Sequence, residues 1–364
     1  MVVPAGGEGH QLAAAAPVVA LRYADGALRA LDQTQLPWHE VELELRSAED
    51  VVGAIRRLSI RGAPLIGVAA AYGVALELSR DPHALERACT ALVAARPTAV
   101  NLAHAVARVR AAVLAAGAAG RAGEAGEAGA AEVALAEARA LHAEEEAASD
   151  AVASHGAALL AGRRRILTHC NTGALAAPGR GTALAVIAEL ADRGGLDLVL
   201  ACETRPLFQG ARLTVYELGR LGIEHALVVD GAGAGLIAAG EVDAVIVGCD
   251  RVAANGDVAN KVGTYAHALA AAAAGIPFVV AGPCTTIDPA CRTGAEIEVE
   301  ERDGDEVRAA GLWRDDPLAL TVAGTPCRNP AFDVTPAPLV TALVTERGVA
   351  APPTPKSVSA LLGT

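Results

Sequence analysis

Residues 248–261 hold the polar side chains whose types and spacing most directly suggest chemistry. The run GCDRVAANGDVANK places Asp250 directly after an apolar strand predicted at 244–247, and it places Asn260 and Lys261 where we expect a helix to begin. In an open parallel sheet, ligands bind at the carboxyl ends of the strands. A helix N-terminus next to a lysine favours an anion, commonly a phosphate. The run therefore predicts an acid/base group held close to a bound phosphate.

A cysteine follows another predicted strand, in the sequence THCNTG at 168–173. From its position alone, Cys170 is either a small buried thiol, as most free cysteines are, or an activated thiol beside the positive end of the following helix. His169 is the last residue of its strand, so its side chain should point to the face opposite Cys170. We expect a structural role for His169.

Two arginines stand in short turns that precede predicted helices. The sequence RGAP at 61–64 precedes an apolar helix, and RPT at 96–98 precedes another helix, for which Thr98 is a candidate N-cap. Small neighbours let the backbone and the guanidinium of Arg61 approach an anion together. The alternative for Arg61 and for Arg96 is a solvated surface side chain, which is the commoner case for arginine.

The elements that must position these residues divide the chain near residues 150–162. In the first part we expect short strands within 21–46 and then helices, which begin at Ser47 and continue at 64–79, 98–115 and 131–161. In the second part apolar strands alternate with helices, and this rhythm predicts a parallel, doubly wound sheet. The expected strands are 165–168, 196–202, 225–229, 244–247 and 278–281, and the expected helices are near 182–193, 209–221, 232–239 and 260–274.

The fold class is therefore α/β, with two domains. We expect a mainly helical N-terminal domain with a few short strands at 18–155, followed by a parallel-sheet catalytic domain at 156–350. Residues 1–17 are small and Gly/Ala-rich, and we expect them to be disordered; 351–364 form a C-terminal tail. The Gly-Glu-Ala repeats at 116–130 predict a mobile surface loop.

Composition excludes several classes of function. The chain has 364 residues, a net charge of −12 and 2% aromatic residues, whereas a nucleic-acid-binding protein normally carries a basic stripe and stacking side chains. No run of about 18 apolar residues lacks charges or glycine breaks, so we expect no membrane span. The N-terminus has no basic segment typical of a signal peptide. We expect a cytoplasmic protein with no nucleic-acid or membrane partner.

Cofactor signatures are also missing from the sequence. Seven cysteines without CxxC pairs indicate reduced thiols, and nine histidines without HxH or HxxxH pairs predict no metal site. The sequence GAGAG at 231–235 only partly matches the glycine fingerprint of nicotinamide enzymes, which also needs an acid about 20 residues later. A dehydrogenase, suggested by the strand–helix rhythm alone, is therefore disfavoured.

Six segments of this chain, in order and spanning nearly all of 21–349, resemble the methylthioribose-1-phosphate isomerase family of methionine salvage. That family shares a superfamily with regulatory subunits of a translation-initiation exchange factor and with other sugar-phosphate isomerases. The segments are RGAPLIGVAAAYGVAL (61–76), RPTAVNLAHAV (96–106), ILTHCNTGALA (166–176), ETRPLFQGARLT (203–214), GCDRVAANGDVANKVGTY (248–265) and NPAFDVTPAPLVTALVTERG (329–348).

The resemblance implies an aldose–ketose isomerase that converts 5-methylthioribose 1-phosphate to 5-methylthioribulose 1-phosphate. It implies a homodimer, a Rossmann-like C-terminal domain, and no metal or redox cofactor. The family's catalytic residues fall on Cys170 and Asp250. Its substrate-binding residues fall on Arg61, Gly62, Ala63, Arg96, Gln209, Asn260 and Lys261.

Three alternatives remain open beside this implied function. The substrate could be 5-deoxyribose 1-phosphate, which would fit the same apolar pocket, or ribose 1,5-bisphosphate, which would need a second cluster of cations. A non-catalytic regulatory subunit of the same fold would be expected to lack the pair Cys170 and Asp250, and this chain has both. The glycine-rich stretch after Asp230 departs from the usual family pattern and bears on the breadth of substrates.

Overall fold

The computed structural model describes residues 17–97, 99–118, 128–311 and 316–363. The expectation of disorder at 1–17 falls, apart from Pro17, on residues outside these ranges, and so do most of the loop expected at 116–130 and Thr98 as an N-cap. The N-terminal part begins with an antiparallel three-stranded sheet and continues with helices, as the sequence predicts. Its elements are β1 (Leu21–Ala24), β2 (Ala27–Leu31), β3 (Glu42–Leu45), α1 (Ala48–Arg56), α2 (Ala63–Arg80), α3 (Leu85–Val93), α4 (Val100–Ala118) and α5 (Ala128–Leu159).

The central helix of this part is α2, which is buried along nearly its whole length. Its small residues allow close packing, because a Cβ atom on Gly67 would lie 2.9 Å from the carbonyl oxygen of Asn101 on α4. The first helix begins as predicted, since the Ser47 hydroxyl accepts a hydrogen bond from the backbone N–H of Asp50 at 3.1 Å. Helix α3 was not predicted from the sequence.

A seven-stranded sheet dominates the C-terminal part, and a four-stranded and a two-stranded sheet flank it. None of the helices in the described ranges combines the length and apolarity needed to cross a membrane. The strands are β4 (Arg165–Thr168), β5 (Leu198–Cys202), β6 (His225–Val228), β7 (Ala244–Val247), β8 (Arg251–Ala253), β9 (Val258–Lys261), β10 (Phe278–Ala281), β11 (Ile287–Asp288), β12 (Ala309–Ala310), β13 (Leu318–Ala319), β14 (Phe332–Thr335), β15 (Ala342–Thr345) and β16 (Gly348–Ala350). The helices are α6 (Ala183–Asp192), α7 (Val215–Arg220), α8 (Gly233–Ala238), α9 (Thr264–Ala274), α10 (Asp305–Arg308) and α11 (Pro355–Leu362).

The order of the large sheet is β16-β15-β10-β7-β4-β5-β6, and all its pairs are parallel except β15 with β16. From β4 the chain adds β5 and β6 on one side, and it then returns to add β7, β10 and β15 on the other. Strand order therefore reverses between β4 and β7, which is where a crevice forms outside the carboxyl ends of such a sheet. Cys170 follows β4 and Asp250 follows β7. The predicted α/β class with a mainly parallel sheet is confirmed.

One expectation about local structure differs from the observed fold. Asn260 and Lys261 do not begin a helix: they end strand β9, which pairs antiparallel with both β8 and β14. Helix α9 begins only at Thr264, after Gly263 with a φ of 105°. The expected C-terminal tail contains α11, whose residues Val358 and Leu361 are buried in the apolar core beside the large sheet.

Candidate active site

A cleft that is partly open to solvent lies at the reversal of strand order. The structure brings together in its lining every residue that the sequence assigned to the site. These are Arg61, Gly62, Ala63, Arg96, Cys170, Gln209, Asp250, Asn260 and Lys261. The predicted residues thus come from both parts of the chain, with the N-terminal part supplying one wall.

Cys170 lies in the turn after β4 with a φ of 67°, in the left-handed region that residues other than glycine rarely adopt. Hydrogen bonds hold this backbone on both sides: its N–H donates to the hydroxyl of Thr204 at 2.9 Å, and its carbonyl accepts from the hydroxyl of Thr214 at 2.7 Å. The residue is 8% exposed, and this exposure faces the cleft. Such strain persists only where the surroundings over-determine it, and it is frequent at functional sites.

Asp250 follows β7 and is partly exposed at the cleft, and its backbone N–H donates to Ala259 at 2.9 Å. Burial raises the pKa of its carboxyl, against the opposing effects of Lys261, Arg96 and Arg61. A carboxyl with a raised pKa can remain protonated near neutral pH and then act as a general acid.

Lys261 reaches the cleft from the end of β9 rather than from a helix. Its ammonium donates to the carbonyl of Ala331 at 2.8 Å and lies 5.2 Å from the centre of the Phe332 ring. Burial lowers the pKa of this lysine, whereas the nearby Cys170 and Asp250 raise it. Lys261 is therefore close enough to Cys170 and Asp250 to interact electrostatically with both side chains.

Arg61 and Gly62 attach the N-terminal part to the turn after β4. The Arg61 guanidinium donates to the side-chain oxygen of Asn171 at 2.5 Å and to its backbone carbonyl at 2.9 Å. Gly62 has a φ of 97°, and a Cβ atom there would lie 2.3 Å from the carbonyl oxygen of Ala176. Only glycine allows this approach, so the small residues at 62–63 position Arg61 as the sequence suggested.

The remaining side chains add further arginines and polar groups to the cleft. Arg96 lies 3.8 Å from Glu300, and Arg302 also lines the cleft. Asn260 donates to the hydroxyl of Thr264 at 3.0 Å. The buried side-chain oxygen of Gln209 has no hydrogen-bond partner among the residues that the structure describes. The site thus holds arginine and lysine around a protonatable carboxyl, an arrangement suited to an anionic, hydroxyl-bearing ligand.

Residues 59–352 match the Initiation factor 2 subunit family. The chain belongs to this family. It is 50% identical over 336 residues to the methylthioribose-1-phosphate isomerase of Anaeromyxobacter dehalogenans, covering 92% of this chain and 94% of the relative. It is also 45% identical over 354 residues to the 5-deoxyribose 1-phosphate isomerase of Moorella thermoacetica, covering 95% and 98% of the two chains.

Among solved structures, this member of the initiation factor 2 subunit family is similar to the 5-methylthioribose 1-phosphate isomerase of Pyrococcus horikoshii. The TM-score is 0.85 at 35% sequence identity, and the match covers 96% of this chain and 97% of that one. The family resemblance inferred from the sequence motifs is therefore confirmed.

Sequence reasoning missed a buried network behind the cleft in this family member. The Asn171 amide, which accepts from Arg61, donates to a carboxylate oxygen of Glu217 at 2.7 Å. Glu217 is 3% exposed, and burial raises its pKa to about 7, opposed by its hydrogen bonds from Asn171 and from backbone N–H groups. Asn171 could have been suspected because it adjoins Cys170. No sequence pattern marked Glu217 as part of the site, since it lies in an ordinary helical pattern 46 residues from Asn171 in the chain.

Proposed function

We propose that this protein is an aldose–ketose isomerase that converts 5-methylthioribose 1-phosphate to 5-methylthioribulose 1-phosphate. The observation that carries the proposal is the meeting of Cys170 and Asp250 with Arg61, Arg96 and Lys261 in one cleft. The isomerases among the relatives supply the class of substrate, and the acid, the thiol and the cations supply groups that such a reaction needs.

The first chemical step is opening of the sugar ring. Because phosphate blocks the anomeric oxygen, the ring cannot open by itself, and the ring oxygen must be protonated as its bond to C1 breaks. Asp250 is the proton donor in our proposal, since burial raises the pKa of its carboxyl and its side chain faces the cleft. Ring opening leaves positive charge at C1, which the phosphate oxygen shares.

The second step moves hydrogen from C2 to C1, while the C2 hydroxyl returns a proton to the Asp250 carboxylate that ring opening left and becomes a ketone. Cys170 either removes hydrogen from C2 as a proton or assists its direct transfer as hydride. Lys261 lies close enough to Cys170 for the two side chains to interact electrostatically. Turnover in D₂O tests the proton route: deuterium at C1 of the product indicates proton transfer through the enzyme, whereas complete retention of the substrate hydrogen favours a hydride shift.

The cationic side chains hold the phosphate and sugar hydroxyls in this proposal. Arg61 has its guanidinium aligned by Asn171, so it offers an oriented group rather than a mobile charge. Apolar residues of the same cleft would contact the methylthio end of the substrate; they are Leu58, Pro64, Ala176, Ala177 and Leu207.

A second candidate substrate is 5-deoxyribose 1-phosphate, because a relative of 45% identity bears the name of that isomerase. The test is a comparison of kcat/KM for 5-methylthioribose 1-phosphate, 5-deoxyribose 1-phosphate and ribose 1,5-bisphosphate with the purified chain. We expect the first to be preferred. A higher kcat/KM for 5-deoxyribose 1-phosphate would reassign the substrate, and failure of all three would favour a regulatory subunit.

We further infer that the protein acts in methionine salvage, in the cytoplasm, as a homodimer. Exposed apolar residues support self-association: Leu227 on the edge strand β6 is 54% exposed, and Leu269 on α9 is 44% exposed. Light scattering coupled to size exclusion measures the assembly directly, and a mass of one chain would refute the dimer.

A further inference from the structure

A buried carboxylate lies behind the cleft, in contact with the loop that follows β4. Glu217 on α7 is 3% exposed, and no step proposed for the isomerase uses it. The side-chain amide of Asn171 donates to its Oε1 at 2.7 Å, and the backbone N–H groups of Ala174 and Leu175 also hydrogen-bond to this carboxylate. Three donors from one short loop therefore converge on a single side chain.

The loop is shaped to receive this carboxylate. A Cβ atom on Gly173 would lie 2.3 Å from Glu217 Oε2, so a larger residue at 173 would displace the carboxylate or the loop. One helical turn before Glu217, Thr214 donates to the carbonyl of Cys170 at 2.7 Å and accepts from the Asn171 amide at 3.3 Å. The segment that carries Thr214 and Glu217 therefore holds the loop at both of its ends.

Asn171 connects Glu217 to Arg61 through the two ends of its amide. Arginine is a donor only and an ionised carboxylate is an acceptor only, so the amide must present its oxygen to Arg61 and its nitrogen to Glu217. The amide oxygen accepts from Arg61 Nη1 at 2.5 Å, and the backbone carbonyl of Asn171 accepts from Arg61 Nη2 at 2.9 Å. In the described part of the chain these bonds engage two of the five guanidinium N–H groups, and the other three are available to a ligand.

The charge of Glu217 matters for this orientation. A carboxylate accepts hydrogen bonds with both oxygens, and its hydrogen bonds are stronger than those of a neutral amide. Glu217→Gln therefore keeps the size of the side chain but weakens its hold on the Asn171 amide. The charge of Arg61 opposes the rise in the pKa of Glu217 that burial causes, so these two side chains also interact electrostatically.

We propose that Glu217 is a positioning residue that acts through Asn171 to align Arg61 for an anionic ligand in the cleft. Asn171 and Arg61 line the cleft, whereas Glu217 lines a separate cavity, so Glu217 acts on the ligand without contacting it. That the anion is the phosphate of a sugar phosphate rests on the proposed function. The alignment of Arg61 does not depend on which anion binds.

Protection of Cys170 from alkylation tests this alignment without relying on turnover. The full-length protein is treated with iodoacetamide at pH 8, where the Glu217 carboxyl, with a pKa of about 7, is mostly ionised. Mass spectrometry quantifies the alkylated Cys170 peptide as inorganic phosphate is added. We expect phosphate to protect Cys170 in the unmodified chain, because Cys170 and Arg61 line the same cleft. Glu217→Gln should need about 10-fold more phosphate for half protection, which is the order of magnitude of a lost hydrogen bond to a charged group.

Glu224→Gln is the matched control, because it makes the same chemical change at an exposed residue just after α7. It should need the same phosphate concentration as the unmodified chain. A double variant tests whether Glu217 acts through Asn171: in an Asn171→Ala background, Glu217→Gln should cause no further loss of protection. Circular dichroism establishes that each variant is folded. If Glu217→Gln does not fold, Asn171→Ala alone breaks the same link and should show the loss of about 10-fold.

Kinetics provide a second measurement that a general loss of structure would not reproduce. Glu217→Gln should raise KM for 5-methylthioribose 1-phosphate by about 10-fold and should change kcat less, because Arg61 binds the ligand. This role of Glu217 is refuted if phosphate does not protect Cys170 in the unmodified chain, or if the folded variant is protected at the same concentrations. It is also refuted if the effect of Glu217→Gln is undiminished without Asn171, or if only kcat falls. Phosphate protection without turnover of any sugar phosphate by the unmodified chain would instead refute the proposed function and leave the alignment of Arg61 intact.

Discussion

Gly62→Ala should impair catalysis although it adds only one methyl group. The new Cβ atom would lie 2.3 Å from the carbonyl oxygen of Ala176, and side-chain Cβ atoms essentially never approach a heavy atom closer than 3.0 Å. The N-terminal wall and the turn after β4 must therefore move apart by at least about 0.7 Å. A misplacement of about 1 Å at a catalytic site can cost about 10²-fold in rate.

Gly26→Ala is the matched control for this variant. Gly26 also has a positive φ, of 71°, but a Cβ atom there meets nothing within 4 Å. Each substitution should cost roughly 1–2 kcal/mol for the unfavourable backbone conformation alone. Only Gly62→Ala should also move Arg61 away from its hydrogen-bond partner Asn171.

The assay measures kcat/KM for 5-methylthioribose 1-phosphate and the free energy of unfolding for both variants. We expect kcat/KM to fall about 100-fold in Gly62→Ala and by less than about 2-fold in Gly26→Ala, with both proteins folded. If the folded Gly62→Ala variant keeps normal kcat/KM, the close approach at Ala176 does not position the site, and the reasoning from geometry is wrong.

Three further predictions concern single side chains. Cys170→Ser should lower kcat by about 10²–10⁴-fold in a folded protein, and near-normal turnover would remove Cys170 from the mechanism. Lys261→Ala should weaken binding of the phosphorylated substrate by about 1.5–3 kcal/mol, and it should weaken binding of a neutral methylthioribose analogue less. The control is Lys356→Ala, which changes an exposed lysine. Equal losses of binding for both ligands would contradict phosphate binding by Lys261. Because the folded-state pKa of Glu217 is raised to about 7 from an ordinary 4.5, its contribution to stability is complete below pH 4.5 and is lost as pH rises through 7. Denaturant unfolding across this range should therefore show the free energy of unfolding falling by up to a few kcal/mol as pH rises, and Glu217→Gln should reduce this fall. The same pH profile in the variant would contradict a raised pKa for the buried carboxyl of Glu217.

The sequence predicts well those features that depend on short patterns. Apolar runs locate β4 and β7, and the rule that ligands bind at the carboxyl ends of parallel strands then brings Cys170 and Asp250 together. The family motifs supply Gln209, which no local pattern singles out strongly. Each of these residues lines the observed cleft.

Features that depend on distant pairing could not be predicted in this way. Strand β9 was mistaken for the start of a helix because its partner strand β14 lies some 70 residues later, and that pairing decides the conformation of Lys261. The contact between Asn171 and Glu217 likewise joins residues with no sequence spacing to connect them. For strand β9, tertiary contacts override local propensity.

The most direct test of the proposed function is to follow 5-methylthioribose 1-phosphate by NMR with the unmodified protein and with Asp250→Asn, each confirmed to be folded. We predict that the unmodified protein forms the ketose 1-phosphate without added nicotinamide and with its phosphate retained at C1. Asp250→Asn should be slower by about 10²–10⁴-fold, because the ring oxygen then lacks its proton donor. No ketose from the unmodified protein, or equal rates for the two proteins, would contradict the assignment of this cleft as the isomerase site.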